Sequence, residues 1–367
     1  MNICIVAGAR PNFIKVAPIV KAIERSKSEG KEVNYQLVYA GALADTTLEQ
    51  SLFDDLQINR PDVCLGVDCE NLNELTGRVM SAFEDYLNMH QTDVVIVVDD
   101  LASTMAVAIV AKKQSIRLAH LVAGTRSFDI NMPKEINRLV IDGLSDLLFT
   151  AGIGGNSILS KGGTSLSKVY MVGNILMDTM RQNRSRLQRP ACLDTLGIRL
   201  GEYIVFTLNR RQLIADHSNL KAMVLAMLHS TGNFPILAPL RAEAAQIMAE
   251  ILESLGDAAK KMKIIEPMGY LEFGYLTAHA RGIVTDSGNV AEEATFNGVP
   301  CITLNSYTEH IETVKQGTNV LVGENAEQLA AAMQQIMAGK WKKHTLPERW
   351  DGRTADRIVQ ILLEQNN

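Results

Sequence analysis

Asp99 and Asp100 are adjacent carboxylates that end the apolar segment 94–99. If this segment is a strand that ends at a binding site, one of the two could act as a general base, because repulsion between neighbouring charges raises the pKa of one of them. A second interpretation is that Asp100 caps a helix that begins near Ser103. The two residues alone favour neither interpretation.

Arg10 and Lys15 are candidate anion-binding residues. Arg10 lies in the turn 8–11 (GARP), which follows the first apolar segment, and Lys15 lies in the first turns of the helical pattern that starts there. A helix N-terminus with two nearby cations suits a diphosphate, because free N–H groups and the helix dipole both favour anions. An ordinary strand-to-helix turn with surface cations is the alternative.

A third candidate is the segment 285–288 (TDSG), which precedes a helical pattern that contains Glu292 and Glu293. Gly288 permits close approach of a ligand, Ser287 and the backbone amides can hold a phosphate, and a carboxylate one turn further on can bind ribose hydroxyls. A simple N-cap role explains Ser287 equally well.

Other site types are not indicated. The histidines have no metal-ligand spacing, and neither G-x-G-x-x-G nor G-x-S-x-G occurs. His120 lies inside an apolar segment, which is typical of a satisfied core residue. The five cysteines are scattered and form no C-x-x-C pair, so we expect reduced thiols in a cytoplasm, without a disulfide or a zinc site.

The elements that must position these residues follow one pattern twice. Short apolar segments alternate with helical spacing, which predicts a doubly wound parallel sheet, because each parallel crossover needs a covering helix. The predicted strands of the first half are 2–8, 36–41, 94–99, 117–124, 146–151 and 168–173. Those of the second half are 203–209, 235–239, 263–267, 282–288 and 300–304.

This repetition predicts an N-terminal Rossmann-like domain of residues 1–173 and a C-terminal nucleotide-binding one of residues 174–350. Residues 351–367 should form a helix that packs back on the first domain. The length of 367 residues agrees with two domains. Two facing Rossmann-like domains would place a cleft at the carboxyl ends of their strands, where such sheets bind ligands.

Bulk properties exclude several classes of partner. The net charge of −5 argues for solubility and against broad nucleic-acid binding. The N-terminus enters a strand-like segment without a basic region or cleavage site, so we expect no signal peptide. Apolar segments of membrane-spanning length are absent from the sequence, and we expect no membrane partner.

Taken in order, several segments resemble the non-hydrolysing UDP-N-acetylglucosamine 2-epimerases across roughly residues 1–350. They are 8–18 (GARPNFIKVAP), 120–127 (HLVAGTRS), 133–138 (PKEINR), 285–293 (TDSGNVAEE) and 308–323 (TEHIETVKQGTNVLVG). The resemblance implies a GT-B-like α/β fold of two facing Rossmann-like domains, a homodimer, and a part in polysaccharide biosynthesis. It implies a reaction without a metal or other cofactor, in which UDP is eliminated across C1–C2 of the sugar and added back with C2 inverted.

The resemblance also assigns roles to individual positions. Those it implies for catalysis are Lys15, Asp100, Glu135 and Arg138. Those it implies for binding UDP or a UDP-sugar are Arg10, Asn209, Phe273, Ser287, Gly288 and Glu293, with Phe273 beside the uracil and Glu293 on the ribose.

Three departures from the family pattern concern its chemistry. Val122 stands in place of the glutamate of H-V-E-A-G-L-R, Lys134 in place of the first glutamate of P-E-E-x-N-R, and Asn209 in place of the histidine of T-x-H-R. Loss of one acid–base group typically costs about 10²–10⁴ in rate. Three functions are therefore open: an epimerase in which Asp100 and Lys134 transfer the proton, a hydrolysing epimerase, or a non-catalytic relative that binds a nucleotide sugar or a protein partner.

Overall fold

The computed structural model describes residues 1–365, apart from the side chain of Ala242. The chain divides into two compact units. Unit 1 consists of Met1–Asn183 together with the chain from Glu348 onward, and unit 2 of Arg184–Pro347. These limits lie ten residues after the predicted boundary at 173 and three residues before the one at 350. The helix Ile175–Asn183 belongs to unit 1 because it packs on the first helix, with Thr179 Oγ1 donating to the carbonyl of Ile14 at 2.6 Å.

Among residues 1–365, unit 1 contains a seven-stranded sheet in which every paired strand is parallel. Its strands are β1 (Asn2–Ala7), β2 (Asn34–Tyr39), β3 (Val63–Cys64), β4 (Val94–Val98), β5 (Arg117–Leu121), β6 (Leu147–Thr150) and β7 (Val169–Met171). The spatial order is β3-β2-β1-β4-β5-β6-β7, so the direction of winding reverses between β1 and β4. Ligands of doubly wound sheets bind at the carboxyl end of such a reversal.

Helices cover this sheet. They are α1 (Arg10–Ser28), α2 (Gln50–Leu56), α3 (Leu72–Met89), α4 (Ala102–Lys113), α5 (Pro133–Leu144), α6 (Ile153–Lys161), α7 (Ile175–Asn183) and the C-terminal α16 (Thr354–Glu364). Every residue of β4 is buried, as expected for a parallel strand covered on both faces. The C-terminal helix packs against α1 and α7 within unit 1.

Unit 2 repeats this architecture with six parallel strands in its described part. The strands are β8 (Ile204–Phe206), β9 (Ile236–Pro239), β10 (Met262–Ile265), β11 (Gly282–Thr285), β12 (Cys301–Thr303) and β13 (Asn319–Leu321). The helices are α8 (Ala191–Thr195), α9 (Arg211–Ala215), α10 (His217–Ser230), α11 (Ala242–Leu255), α12 (Tyr270–Ala278), α13 (Gly288–Asn297), α14 (Ile311–Lys315) and α15 (Ala326–Met337). The order β10-β9-β8-β11-β12-β13 reverses between β8 and β11.

The predicted fold class, Rossmann-like α/β domains with parallel sheets, is confirmed for each unit. Every predicted strand overlaps an observed one, but β2 and β10 begin before the predicted segments, and most observed strands end earlier than predicted. The pattern missed β3 and β13, which have two and three residues. Within the described residues, no helix is long and apolar enough to cross a membrane.

Candidate active site

Two residues at the carboxyl edge of the unit 1 sheet, at the switch-point strand β4 and its neighbour β5, have left-handed backbone conformations. Asp99 follows β4 with a φ of 58°, and Val122 follows β5 with a φ of 71°. Val98 pairs with Leu121 in the sheet, so Asp99 and Val122 are neighbours at the same edge. A β-branched residue with positive φ is a genuine outlier, and such strain clusters at functional sites.

The carboxylate of Asp99 is bound to residues of α1. Lys15 Nζ lies 2.6 Å from Asp99 Oδ1, and Asn12 Nδ2 donates to Asp99 Oδ2 at 2.9 Å. Asn12 Oδ1 in turn accepts from the backbone N–H groups of Gly8 and Ala9. These two amides of the GARP turn are therefore hydrogen-bonded to Asn12, and an anion at this turn would depend on the remaining amides and on cations such as Arg10, the first residue of α1.

Asp100 is bound to α5. Arg138 Nε and Nη2 both donate to Asp100 Oδ2, at 2.8 and 2.6 Å, and Lys134 Nζ lies 3.4 Å from Asp100 Oδ1. Asn137 Nδ2 donates to the backbone carbonyl of Asp100 at 2.8 Å. The helix-capping interpretation of Asp100 is wrong, because α4 has Leu101 as its N-cap residue and Thr104 Oγ1 accepts from the Leu101 N–H.

The cations decide the charge of Asp100. Burial by itself would raise the pKa of this carboxyl, but Lys134 and Arg138 outweigh burial and hold the pKa below its ordinary value. Asp100 is therefore ionised at neutral pH and is a weak base. The side chain of Lys134 is 56% exposed and ion-paired, so the desolvation that turns a lysine into a base is missing here.

Glu135 extends this chain of ion pairs. It is buried, and its Oε2 accepts from the N–H and the hydroxyl of Ser127, both at 2.8 Å, and from Arg138 Nη1 at 3.2 Å. Burial would raise the pKa of Glu135, but the hydrogen bonds from Ser127 and the charge of Arg138 lower it below the ordinary value. One of its two carboxylate oxygens, Oε2, thus accepts from three donors.

His120 is confirmed as a satisfied core residue. It is 1% exposed, with Nδ1 2.6 Å from Asp142 Oδ1 and Nε2 2.9 Å from the carbonyl oxygen of Asp99. Both neighbouring atoms are oxygens that can accept a hydrogen bond, so each ring nitrogen has a partner. Burial would raise the pKa of Asp142, but His120 and Arg126 outweigh it and lower this pKa. The histidine ties α5 to the backbone of the Asp99 turn.

The switch point of unit 2 is built by two threonines and an aspartate. Thr207, just after β8, lies with its hydroxyl 2.6 Å from the hydroxyl of Thr285, and Thr285 Oγ1 also accepts from the N–H of Ser287. Asp286 Oδ2 accepts from the N–H groups of Asn209 and Arg210 at 2.7 and 2.6 Å. The turns after β8 and β11 are thereby joined.

Of the predicted nucleotide residues of unit 2, Asn209, Ser287 and Gly288 lie at these turns. Asn209 has an exposed side chain, and Ser287 occupies the N-cap position of α13, with no capping hydrogen bond from its side chain within the described residues. Gly288 begins that helix, and a Cβ at this glycine would lie 3.3 Å from His310. Phe273, on α12, is half-buried against the core.

Glu293 is an unusual acid on α13. Burial, and to a lesser degree the charge of Glu292, raise the pKa of Glu293 to about 8. Glu292 is itself buried, with Oε1 3.0 Å from His310 Nδ1. Glu293 is therefore mostly protonated at neutral pH and would gain from donors such as ribose hydroxyls once ionised.

The structure thus brings Asp100, Arg138 and Glu135 into contact in unit 1. Lys15 contacts Asp99. The sequence pattern did not distinguish Asp99 from Asp100 as the partner of this lysine. Asp286, which lies inside the motif 285–288, was also missed as an organising residue, because the predicted strand 282–288 included it, whereas β11 ends at Thr285. No group of three potential metal ligands occurs in the described part of the chain.

Two Rossmann-like units, each with polar side chains and a helix start at its switch point, define a nucleotide-binding type of α/β protein. Comparison with known proteins narrows this class. The family model for UDP-N-acetylglucosamine 2-epimerase matches residues 25–363. The chain belongs to this family.

Individual relatives match over their full length. A UDP-N-acetylglucosamine 2-epimerase of Methanocaldococcus jannaschii is 34% identical, with 99% of both chains covered. A UDP-2,3-diacetamido-2,3-dideoxy-D-glucuronate 2-epimerase of Pseudomonas aeruginosa is 31% identical, again with 99% of both covered. The crystal structure of the M. jannaschii UDP-GlcNAc 2-epimerase in complex with UDP-GlcNAc and UDP matches with a TM-score of 0.85 at 32% identity, covering 99% of this chain and 100% of that one. The fold is accordingly GT-B-like.

Proposed function

We propose that the protein binds UDP-N-acetylglucosamine and interconverts it slowly with UDP-N-acetylmannosamine, by elimination and re-addition of UDP. The observation that carries the proposal is the intact turn structure at the switch point of unit 2, where Ser287, Gly288 and Glu293 occupy the positions that the family resemblance gives to the nucleotide. The relatives named for this reaction, and the solved complex with UDP-GlcNAc and UDP, support it.

In this proposal unit 2 holds the nucleotide. Phe273 lies beside the uracil, Glu293 accepts from the ribose, and Ser287, Gly288 and Asn209 bind the diphosphate. A helix N-terminus suits the phosphates, because its free N–H groups and dipole favour negative charge. Asn209 stands where the family has a histidine, and an asparagine cannot carry the positive charge that a histidine can. We therefore expect the departing UDP to be bound more weakly.

In this proposal the acid–base groups of the reaction belong to unit 1. Asp100 is the proposed base for the C2 proton, while Lys15 and Arg138 stabilise negative charge. The rate is low for two reasons. Val122 offers neither donor nor acceptor, and Lys134 lowers the pKa of Asp100 and so weakens it as a base.

These same two residues favour a second candidate, a non-catalytic relative that binds a nucleotide sugar. If Asp100 is too weak a base, binding would persist without proton exchange. The two candidates differ in one observable, because catalysis by elimination exchanges the C2 hydrogen with solvent, whereas binding alone leaves it in place.

The test is incorporation of deuterium at C2 of UDP-N-acetylglucosamine in D₂O, followed by NMR, together with the appearance of UDP-N-acetylmannosamine. We expect turnover about 10³-fold below that of an intact relative, the scale of missing acid–base groups. Absence of any exchange at high enzyme concentration, with binding intact, would favour the non-catalytic candidate.

Restoring variants test the cause of the low rate. Val122→Glu, Lys134→Glu and Asn209→His together should gain more than the product of the three single effects, since groups that act as one unit are non-additive. Lys134→Gln is the matched control for Lys134→Glu, because it removes the cation beside Asp100 without adding an acid. If the native chain already turns over at a normal rate, the carboxylate argument is wrong and Asp100 suffices.

We further propose a homodimer in a cytoplasmic location, in the service of polysaccharide biosynthesis. The five cysteines are all free thiols, which suits a reducing compartment. Exposed apolar side chains on unit 1 support the homodimer, and its test is given in the Discussion.

A further inference from the structure

Lys134 is an exposed cation beside Asp100, the base of the proposed reaction. It lies in the first turn of α5, its side chain is 56% exposed, and its Nζ lies 3.4 Å from Asp100 Oδ1. This ammonium group donates no hydrogen bond within residues 1–365. Asp100 is also bound by Arg138, which donates to it through Nε and Nη2. Lys134 therefore has donors available for a further acceptor.

The stability of α5 does not explain a lysine at this position. The N-terminus of a helix carries partial positive charge, which favours acids in the first turn and disfavours cations there. In α5 the acid of the first turn is Glu135, which directly follows Lys134. The lysine thus opposes the helix dipole, and an anion that it binds is the remaining explanation for its position.

Lys134 also changes the charge at this edge of the unit 1 sheet. Three cations and three carboxylates are linked there, in the pairs Lys15–Asp99, Lys134–Asp100, Arg138–Asp100 and Arg138–Glu135. The six groups have a net charge of zero. A glutamate at position 134, as in the family pattern, would leave two cations and four carboxylates, a net charge of −2. That arrangement would repel a negatively charged sugar, whereas the arrangement in this chain does not.

We propose that Lys134 binds a carboxylate on the sugar, and that the protein prefers UDP-sugars with an acidic group to neutral UDP-N-acetylglucosamine. This proposal rests on the proposed function, which places C2 of the sugar beside Asp100. The ammonium of a lysine is a point charge with three donors on a flexible stem, so it can reach an acidic group elsewhere on the same sugar ring. Charge-assisted hydrogen bonds to a carboxylate are stronger than those to a neutral hydroxyl group.

Two acidic ligands test the proposal against UDP-N-acetylglucosamine. UDP-N-acetylglucosaminuronate carries its carboxylate at C6, and UDP-N-acetylmuramate carries one on the substituent of O3. Calorimetry with the native chain should show that at least one of them binds about tenfold more tightly than the neutral sugar nucleotide, the scale of one hydrogen bond to a charged group. UDP, measured alongside, reports on the nucleotide that all the ligands share. Because salt screens exposed charges, the preference should decrease between about 0.05 M and about 0.5 M salt.

Variants assign this preference to the lysine. Lys134→Gln removes the charge and should abolish the preference for the acid, with little effect on UDP, whereas Lys134→Arg keeps the charge and should keep the preference. Lys113→Gln is the matched control, because Lys113 is an exposed lysine in the last turn of α4. It lies about 17 Å along the helix from Ala102, where α4 begins, which is more than one Debye length. This control should keep the native preference.

The outcomes separate this proposal from the proposed function. If neither acid binds more tightly than UDP-N-acetylglucosamine, or if the preference persists in Lys134→Gln, Lys134 does not bind the sugar and the proposal is wrong. If the native chain binds none of these ligands and does not bind UDP, the proposed function itself is wrong. Melting curves accompany each variant, and we expect little change because the side chain of Lys134 is exposed.

Discussion

Val122 and Asp99 sit side by side at the edge of the first sheet, both with left-handed backbone conformations. That conformation costs an ordinary L-residue about 1–2 kcal/mol, and only Gly, Asn and Asp adopt it with ease. Asp99 is compatible with it, whereas the β-branched Val122 is not. The side chain of Val122, at this strained position, has neither a hydrogen-bond donor nor an acceptor.

Val122→Asn should therefore stabilise the protein. We expect the free energy of unfolding to rise by about 1 kcal/mol, because asparagine tolerates positive φ. Val122→Thr is the matched control, since it introduces polarity but keeps the β-branch and should bring no gain. Urea denaturation measures both. Equal stability of the Asn and Thr variants would show that the conformation at Val122 is not strained.

Glu293 predicts a pH dependence of ligand binding. Its pKa of about 8 means that the carboxyl holds a proton in the unliganded protein at neutral pH. Ribose hydroxyls would bind the ionised form, so binding should release a proton. The affinity for UDP-N-acetylglucosamine should then rise as the pH increases toward 8, by up to about tenfold per unit, and level off above it.

Calorimetry in two buffers of different ionisation enthalpy measures the released proton directly. Glu293→Gln should remove both the proton release and the rise of affinity with pH. Proton release that persists in the Gln variant would assign the titration to another group.

At the scale of elements, sequence patterns located buried strands well, because a parallel strand covered on both faces is almost wholly apolar. They misplaced strand ends. The segment 117–124 was predicted as one strand, but β5 ends at Leu121, where the backbone turns left-handed at Val122. The pairing of Lys15 with Asp99 rather than Asp100 also escaped prediction, because it depends on how α1 packs against the sheet.

Asp178 links α7 to the start of α16 and makes this contact sensitive to pH. Its two oxygens accept from the backbone N–H groups of Thr354 and Ala355. Burial nevertheless raises the pKa of Asp178 to about 6. Between pH 4 and 6 the folded state therefore holds a proton that the unfolded state has lost, so this group lowers stability as the pH rises through that window.

Asp178→Asn should remove this contribution. The stability of the native chain relative to the variant should fall as the pH rises from about 4 to about 6 and stay constant above it. Asp68→Asn, at an exposed position between β3 and α3, is the control and should keep the native profile. Parallel profiles for native chain and Asp178→Asn would refute the assignment.

At the scale of the whole molecule, the repeated strand–helix pattern predicted two Rossmann-like sheets, and both were found. A surface feature of unit 1 was not visible in that pattern. Phe128 and Ile130, in the loop before α5, and Leu139, on α5, line one cavity of about 580 Å³ and are 78%, 60% and 44% exposed. Ile136, one turn earlier on α5, is 42% exposed. Exposed apolar side chains grouped in this way are typical of an interaction site.

This surface gives the proposed homodimer a test. Leu139→Glu places a charge in the middle of the apolar surface, where burial against a second copy would leave it unpaired, at a cost of several kcal/mol. Sedimentation velocity should show a dimer for the native chain at micromolar concentration and a monomer for the variant. Leu196→Glu, at a 40% exposed position in unit 2, is the matched control and should remain dimeric. A native chain that stays monomeric at all concentrations refutes the homodimer, and a Leu139→Glu variant that stays dimeric places its interface on another face.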